Sequence, residues 1–245
     1  MLQKPLNPGL RTFITQTLVL LILAAFALLI GAIAVAIAGK SPVTAFQELL
    51  QGALGTRTNI AASITRSIPI IINGVAATIA FKAGLFNLGL EGQMVIGALT
   101  GAVFANAFKD LPPFLLLPLT ILAAATAGGA WALPPAWWQV RFKVPLLVTT
   151  LLLNYIANYF ASYLVNFALR DLSGGAAVPQ TVMIPEAIRF GIILEGTRLH
   201  AGVFAIILLP ILVTWFFSRT SLGYRIRMSG LNPDFAQYGG IHTSR

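Results

Sequence analysis

Long segments without a charged residue are the feature that most constrains this chain. Leu18–Ala38 contains no Asp, Glu, Lys or Arg, and the same holds for Leu111–Val140, Val144–Leu169 and Leu199–Phe217. A helix needs roughly 20 mostly apolar residues to cross a hydrocarbon core that is ~30 Å thick, and each segment is about that long. Strands of a membrane β-barrel would instead form alternating segments of ~10 residues. The segments therefore predict an all-α, polytopic transmembrane helical bundle.

Two further segments are apolar but carry a single charge each. Ile60–Phe81 contains Arg66, and Gly84–Phe108 contains Glu91. The first segment of the chain resembles a signal peptide in composition, but a signal peptide's apolar region usually has only ~7–15 residues. We therefore interpret it as a retained span, and we expect about six spans in a single transmembrane domain over residues 1–245.

The composition excludes a soluble protein. Hydrophobic residues make up 57% of the chain and charged residues only 9%, whereas a soluble domain carries about 25% charged residues. The mean hydropathy of +0.84 also excludes a disordered chain. The chain has no cysteine, which excludes disulfides, thiolate metal sites and a cysteine nucleophile.

The net charge of +9 follows a membrane pattern rather than a nucleic-acid one. Basic residues accumulate in cytoplasmic loops, and no basic cluster stands beside base-stacking aromatic residues, so we expect no nucleic-acid partner. A cytoplasmic N-terminus places nine basic residues inside: Lys4, Arg11, Lys82, Arg141, Lys143, Arg219, Arg225, Arg227 and Arg245. It places six outside: Lys40, Arg57, Lys109, Arg170, Arg189 and Arg198. This orientation leaves two long outer loops, Gly39–Asn59 and the turn-rich Arg170–Arg198, which contains Ser173-Gly174-Gly175.

The third segment is unusually polar for a membrane span. Besides Glu91 it carries Asn87, Gln93 and the glycines at positions 84, 89, 92, 97 and 101. Irregular backbone at membrane depth persists only where protein or a water-filled cavity satisfies it. One interpretation is a broken or polar-faced helix that lines a solute path, with Asn87 and Glu91 on one face if the segment is helical. The other is close packing through Gly97 and Gly101, with Glu91 paired to Arg66 or Lys82.

The fifth segment carries two polar rows at a spacing of four residues. One row contains amides and hydroxyls, and beside it runs a row of tyrosines: Thr150, Asn154, Asn158, Ser162 and Asn166, then Tyr155, Tyr159 and Tyr163. The rows indicate either interhelical hydrogen bonds or a path for a neutral polar solute. The absence of charge argues against an ionic substrate. The candidate path residues are Asn87, Glu91, Gln93, Thr150, Asn154, Asn158, Tyr155 and Tyr159.

The C-terminal stretch Arg219–Ile241 predicts a cytoplasmic loop. Asn232 is a typical N-cap with Pro233 at the first helical position, and Gly239 and Gly240 would end the helix. We expect a basic segment, a tight turn and one or two helical turns, forming either an interfacial helix or a docking surface for a soluble partner.

No catalytic or metal-binding motif stands out. The chain contains no HExxH, P-loop or G-x-S-x-G sequence, and His200 and His242 are too isolated for a metal site. We therefore expect no enzyme activity, no metal and no cofactor.

Three of these stretches together resemble the permease subunits of bacterial ABC importers, in the branch that serves nucleosides and simple sugars within the branched-chain amino acid and ribose-type permease superfamily. They are GLFNLGLEGQM from Gly84, TTLLLNYIA from Thr149, and TSLGYRIRMSGLNPDFAQYGGI from Thr220. The second is similar to the branch's TTLMLNYIA stretch, and the third is similar to its cytoplasmic coupling loop. The resemblance covers most of the chain from about Ile60.

The resemblance implies an inner-membrane permease that works with partners. These are an ABC ATPase subunit, a second, homologous permease, an extracytoplasmic solute-binding protein and the surrounding lipid. It assigns the coupling element of residues 219–241 to ATPase docking through Gly223, Arg227, Gly230, Asn232, Pro233, Ala236, Tyr238 and Gly240. Relatives commonly have VNEVI where this chain has Val144–Val148, and they continue with further spans after the coupling loop, so we expect those spans to be missing here. A stand-alone carrier or channel is the alternative, and a membrane-embedded lipid enzyme is a more distant one.

Overall fold

A computed structural model describes residues 8–173 and 178–241, with side chains from residue 15 onward. Five residues used in the sequence analysis lie outside these ranges: Lys4, Gly174, Gly175, His242 and Arg245. The side chain of Arg11 is likewise outside the described part.

Helices make up the secondary structure of the described residues, with no β-strand among them, so the predicted all-α class is confirmed. Ten α-helices follow in chain order: α1 (Pro8–Ile37), α2 (Pro42–Leu54), α3 (Arg57–Lys82), α4 (Leu90–Ala107), α5 (Pro113–Trp131), α6 (Leu133–Phe142), α7 (Leu146–Asn166), α8 (Phe204–Arg219), α9 (Ser221–Leu231) and α10 (Pro233–Tyr238). Short 3₁₀ turns lie at Glu186–Ile188 and Ala201–Val203.

Four helical segments of the described chain are long and apolar enough to cross a membrane. They are Thr15–Ile37, Arg57–Lys82, Pro113–Phe142 and Ala201–Arg219. At most 6% of each is buried, so their apolar side chains face outward, as lipid contact requires. The chain is therefore a multi-pass membrane protein. The other two predicted spans form α4 and α7, whose polar side chains keep them outside this group.

The chain divides into two compact units, residues 1–63 and residues 64–245. In the first unit α1 packs against α2. Helix α2 begins where Ser41 caps it, accepting a hydrogen bond from the Thr44 amide at 3.4 Å, with Pro42 at the first helical position. Helix α2 occupies most of Gly39–Asn59, the segment predicted as a long loop between the first two spans.

In the second unit α4 and α5 pack backbone to backbone through glycines. A β-carbon at Gly97 would lie 2.9 Å from the Ala124 carbonyl oxygen, and one at Gly101 would lie 3.3 Å from the Ala124 β-carbon. On α5, a β-carbon at Gly128 would lie 2.9 Å from the Gln93 carbonyl oxygen. The predicted glycine contact is confirmed, and it brings the two helices closer than larger side chains would allow.

Two adjacent glycines of α5 give a matched test of this packing. We expect Gly128→Ala to lower the melting temperature of the purified protein in detergent, since overpacking costs about 1–3 kcal/mol. Gly129→Ala should not lower it, because open space surrounds Gly129 and alanine favours the helix. Equal melting temperatures for the two variants would show that the α4–α5 contact contributes nothing to stability.

The loop between α7 and α8 is anchored at the ends of α4 and α5. Ile188 is buried in one apolar cluster with Ala105 and Leu116, and the Asn106 side chain donates a hydrogen bond to the Val182 carbonyl at 3.0 Å. The Arg189 guanidinium donates to the Ile184 carbonyl at 2.7 and 2.9 Å. The described residues of this loop therefore pack against the end of α4 and the start of α5.

Candidate functional site

The polar segment before α4 is a non-helical turn. Residues 83–89 separate α3 from α4, and Gly84 has a φ of +75°, which favours glycine. The Asn87 side chain accepts a hydrogen bond from the Gly89 amide at 2.7 Å, which closes the turn locally. Residues 84–89 of the predicted polar segment are therefore not helical, as the broken-helix interpretation expected, while a role in lining a solute path stays a prediction. Because Asn87 precedes α4, it does not share a helical face with Glu91, and that conditional expectation does not apply.

Asn154 of α7 holds the first turn of α4. Its side-chain nitrogen donates to the Leu88 carbonyl at 2.6 Å, and its side-chain oxygen accepts from the Gly92 amide at 2.8 Å. One side-chain amide therefore pairs with the Leu88 carbonyl just before the helix and with the Gly92 amide. The Gly92 amide is one of the first N–H groups of α4, which have no partner within the helix. Asn154 fits against the backbone because position 92 is glycine, where a β-carbon would lie 2.8 Å from the Asn154 oxygen.

Thr150 supports the same turn one helical turn earlier on α7. Its hydroxyl accepts from the Leu88 amide at 3.2 Å and donates to the Leu146 carbonyl at 2.8 Å. The side chain is fully buried, with 1% of its surface exposed. Both predicted path residues, Thr150 and Asn154, thus use their polar groups on protein backbone.

Glu91 contacts an amide rather than a basic residue. The Asn158 side chain donates to a Glu91 carboxylate oxygen at 3.3 Å and to the Asn154 carbonyl at 3.0 Å. Within residues 8–173 and 178–241, Glu91 forms no salt bridge with Arg66 or Lys82, so the predicted ion pair is wrong. Both Glu91 and Asn158 are exposed, and they form a polar surface where α4 meets α7.

The other predicted path residues lie at the edges of this region. Gln93 is half-buried beside the α4–α5 contact. Tyr155 and Tyr159 are 58% and 75% exposed, so they stand on the open surface of α7. The described residues contain no group of three or more His, Asp or Glu side chains that could hold a metal.

The C-terminal stretch forms two capped helices. The Thr220 hydroxyl accepts from the Gly223 amide at 3.0 Å at the start of α9, and the Asn232 side chain accepts from the Phe235 amide at 3.0 Å at the start of α10. The predicted Asn232 cap with Pro233 at the first position is confirmed. Arg225 and Arg227 lie within helix α9 and Arg219 ends α8, where the sequence had suggested a basic segment and a tight turn.

Gly230, near the end of α9, touches the turn before α4. A β-carbon at Gly230 would lie 2.6 Å from the carbonyl carbon of Ala83 and 2.7 Å from the amide nitrogen of Gly84, and closer still to the Lys82 carbonyl oxygen. Conversely, a β-carbon at Gly84 would lie 2.9 Å from the Gly230 carbonyl oxygen. We call this contact of Gly230 with residues 82–84 the glycine joint. It connects the C-terminal helices directly to the turn that Asn154 and Thr150 hold.

The predicted coupling residues divide into buried and exposed groups. Gly223 and Ala236 are buried, and a β-carbon at Gly223 would lie 2.8 Å from the Phe217 α-carbon. Arg227, Asn232, Pro233, Tyr238 and Gly240 are exposed, with Tyr238 at 93%. The sequence analysis missed Leu231 and Phe235, which are exposed beside them. The feature that could have singled out these two residues is a large apolar side chain in a short segment outside the predicted spans.

Residues 59–245 match the protein family described as the permease component of branched-chain amino acid transport systems. The chain belongs to that family. The resemblance noted from the three sequence stretches is confirmed.

Several curated proteins are similar along nearly the whole chain. The guanosine ABC transporter permease protein NupP of Bacillus subtilis strain 168 is 30% identical over 95% of this chain and 66% of its own length. The nucleoside ABC transporter permease protein NupB of Lactococcus lactis subsp. cremoris strain MG1363 is 28% identical over 94% of this chain and 65% of its own length. The glucose ABC transporter permease protein TsgB13 of Haloferax volcanii is 32% identical over 93% of this chain and 62% of its own length.

The chain thus spans just under two thirds of the length of these relatives. No solved structure matches it.

Proposed function

We propose that the chain is a transmembrane permease subunit of an ATP-driven ABC importer for a neutral, sugar-containing solute such as a nucleoside. The observation that carries this proposal is the polar turn before α4, which α7 amides hold within an otherwise apolar, multi-pass protein. The turn leads into the polar surface that Glu91 and Asn158 form between α4 and α7, and polar side chains within membrane-spanning segments usually face a cavity or a partner rather than lipid. The names of the relatives support the ATP-driven class and the two solute types.

A neutral solute fits this surface better than an amino acid. An amino acid carries an ammonium and a carboxylate, and each would need a partner of opposite charge in a low-dielectric site. Glu91 is the only charged residue in α4 and α7 together. The amide and tyrosine side chains nearby instead provide the donors and acceptors that hydroxyl groups require.

This function requires the partners that the resemblance implies. ATP would be hydrolysed in a separate ATPase subunit, a second permease would complete the path, and an extracytoplasmic binding protein would deliver the solute. The exposed face of α9 and α10, with Leu231, Phe235 and Tyr238, is the proposed ATPase-docking surface. Large exposed aromatic side chains of this kind are typical of interface anchors. In this arrangement the N-terminus is cytoplasmic, α4 and α7 also cross the membrane, and the chain itself is not catalytic.

Purification and uptake measurements test the function directly. The tagged protein is purified from its native membranes and reconstituted, and ATP-dependent uptake of guanosine, glucose and leucine is measured. We expect an ATPase subunit to copurify, and we expect uptake of a neutral solute that depends on ATP and is not inhibited by excess leucine. Solute uptake without ATP and without a copurifying ATPase would contradict the proposal and favour a stand-alone carrier.

A further inference from the structure

We propose that the second half of the α7 polar row forms a binding subsite for the hydroxyl-bearing ring of a neutral solute. This proposal rests on the proposed function and assigns the solute contacts within it. The subsite consists of Asn158, Ser162 and Asn166 of α7 together with Val178 and Pro179 of the α7–α8 loop.

These residues line one open cavity of about 470 Å³. This volume lies within the roughly 300–1,000 Å³ range of small-molecule sites. Its wall combines amides and a hydroxyl with the apolar side chains of Val165, Val178 and Pro179. A sugar ring presents hydroxyls around its edge and C–H groups on its faces, so it matches a wall that offers both kinds of contact. None of the described residues that line the cavity is charged, which favours a neutral ligand.

The α7–α8 loop is folded back so that it closes one side of the cavity. Arg170 and Thr181 form an antiparallel bridge, and the Asp171 amide donates to the Gln180 carbonyl at 2.8 Å. The Asp171 carboxylate also accepts the Ser173 amide at 3.0 Å, and hydrogen bonds from Ser173 hold the pKa of Asp171 below its usual value. These contacts hold the two arms of the loop together beside the end of α7.

The two halves of the polar row differ in their hydrogen-bond partners. Thr150 and Asn154 are committed to the backbone of the turn before α4. By contrast, the Asn166 side chain donates only within its own helix, to the Ser162 carbonyl at 2.7 Å and the Ser162 hydroxyl at 3.3 Å. Asn166 is exposed, so rotation of its side chain exchanges a local hydrogen bond for one to a ligand without unfolding any backbone.

The chain contains no cysteine, so a single introduced cysteine is its only thiol that a maleimide can label. The Ser162→Cys and Asn166→Cys variants are prepared in membrane vesicles containing the full complex, and each thiol is reacted with a membrane-impermeant maleimide. We expect guanosine or ribose to protect both thiols, with labelling largely lost at saturating solute. Thr181→Cys is the matched control, because Thr181 lies in the same loop but lines the neighbouring cavity formed with Asn106. Its labelling should not change.

The outcomes separate this proposal from the proposed function. Unprotected Ser162→Cys and Asn166→Cys thiols, in vesicles that still take up guanosine with ATP, would overturn the subsite alone. Equal protection of Thr181→Cys would also overturn it, because the effect would then be a general conformational change. Protection confined to the two α7 thiols, in vesicles without ATP-driven uptake, would support the subsite and contradict the proposed function.

Discussion

Replacing Gly230 with valine should strongly reduce transport while leaving the protein in the membrane. A side chain at this position meets the backbone of residues 82–84, and backbone cannot move aside as a flexible side chain does. Overpacking of this kind costs about 1–3 kcal/mol or more. We therefore expect the glycine joint to open and α9 to move away from the turn before α4. Uptake should fall by about tenfold or more, as each 1.4 kcal/mol corresponds to a factor of ten.

The measurement is ATP-driven uptake by the reconstituted complex, together with the amount of ATPase that copurifies. The ATPase should still bind to Gly230→Val, because the proposed docking side chains at positions 231, 235 and 238 are unchanged. Gly74→Val is the control, since a β-carbon there meets open space in α3. Normal uptake by Gly230→Val would show that transport does not depend on the glycine joint.

Asn154→Leu should have the second large effect, and it should act through stability. Leucine removes the groups that pair with the Leu88 carbonyl and the Gly92 amide. An unsatisfied buried polar group costs about 1–3 kcal/mol, and the variant leaves the amide of the buried Gly92 in that state. It also removes the partner of the more exposed Leu88 carbonyl. We expect a clearly lower melting temperature in detergent and loss of uptake.

A graded series identifies the cause. Asn154→Asp keeps an oxygen to accept from Gly92 but loses the donor to Leu88, so its melting temperature should lie between the wild type and Asn154→Leu. Asn166→Leu is the matched control on the same helix, because Asn166 bonds only within α7. It should melt like the wild type. If Asn154→Leu and Asn166→Leu melt together, Asn154 does not hold the turn.

The sequence predicted the helical class and the polar regions because these depend on local composition. Charge-free segments located three of the four apolar spans, and Ile60–Phe81, with the single charge of Arg66, located the fourth. The glycine and amide content of residues 84–101 indicated both a break and close packing. Both features are present in this segment. The non-helical part ends at Gly89, and Gly97 of the following helix packs against α5. The caps at Thr220 and Asn232 involve residues three positions apart, and the Asn232 cap was visible in the sequence for that reason.

The partners of the polar residues could not be predicted, because they lie far apart in the chain. Asn154 and Gly92 are 62 residues apart, and nothing in either stretch specifies the other. The resemblance assigned Gly230 to docking, whereas the structure packs it against residues 82–84. A glycine's contacts depend on which backbone approaches it, and a periodic pattern carries no such information. Similarly, Glu91 accepts a hydrogen bond from the amide of Asn158, whereas its negative charge had suggested Arg66 or Lys82 as its partner.

The long separation between Asn154 and Gly92 also bears on how this protein enters the membrane. Helix α4 is synthesised well before α7, so its first turn leaves the ribosome without the amide that later satisfies it. The glycine contact with α5 is closer in sequence and is the earlier partner to emerge. We therefore expect α4 and α5 to associate first, and the turn before α4 to gain its Asn154 partner only when α7 has been made. A chain interrupted before Asn154 would lack the side chain that pairs with Leu88 and Gly92, so the start of α4 would depend on its contact with α5 alone.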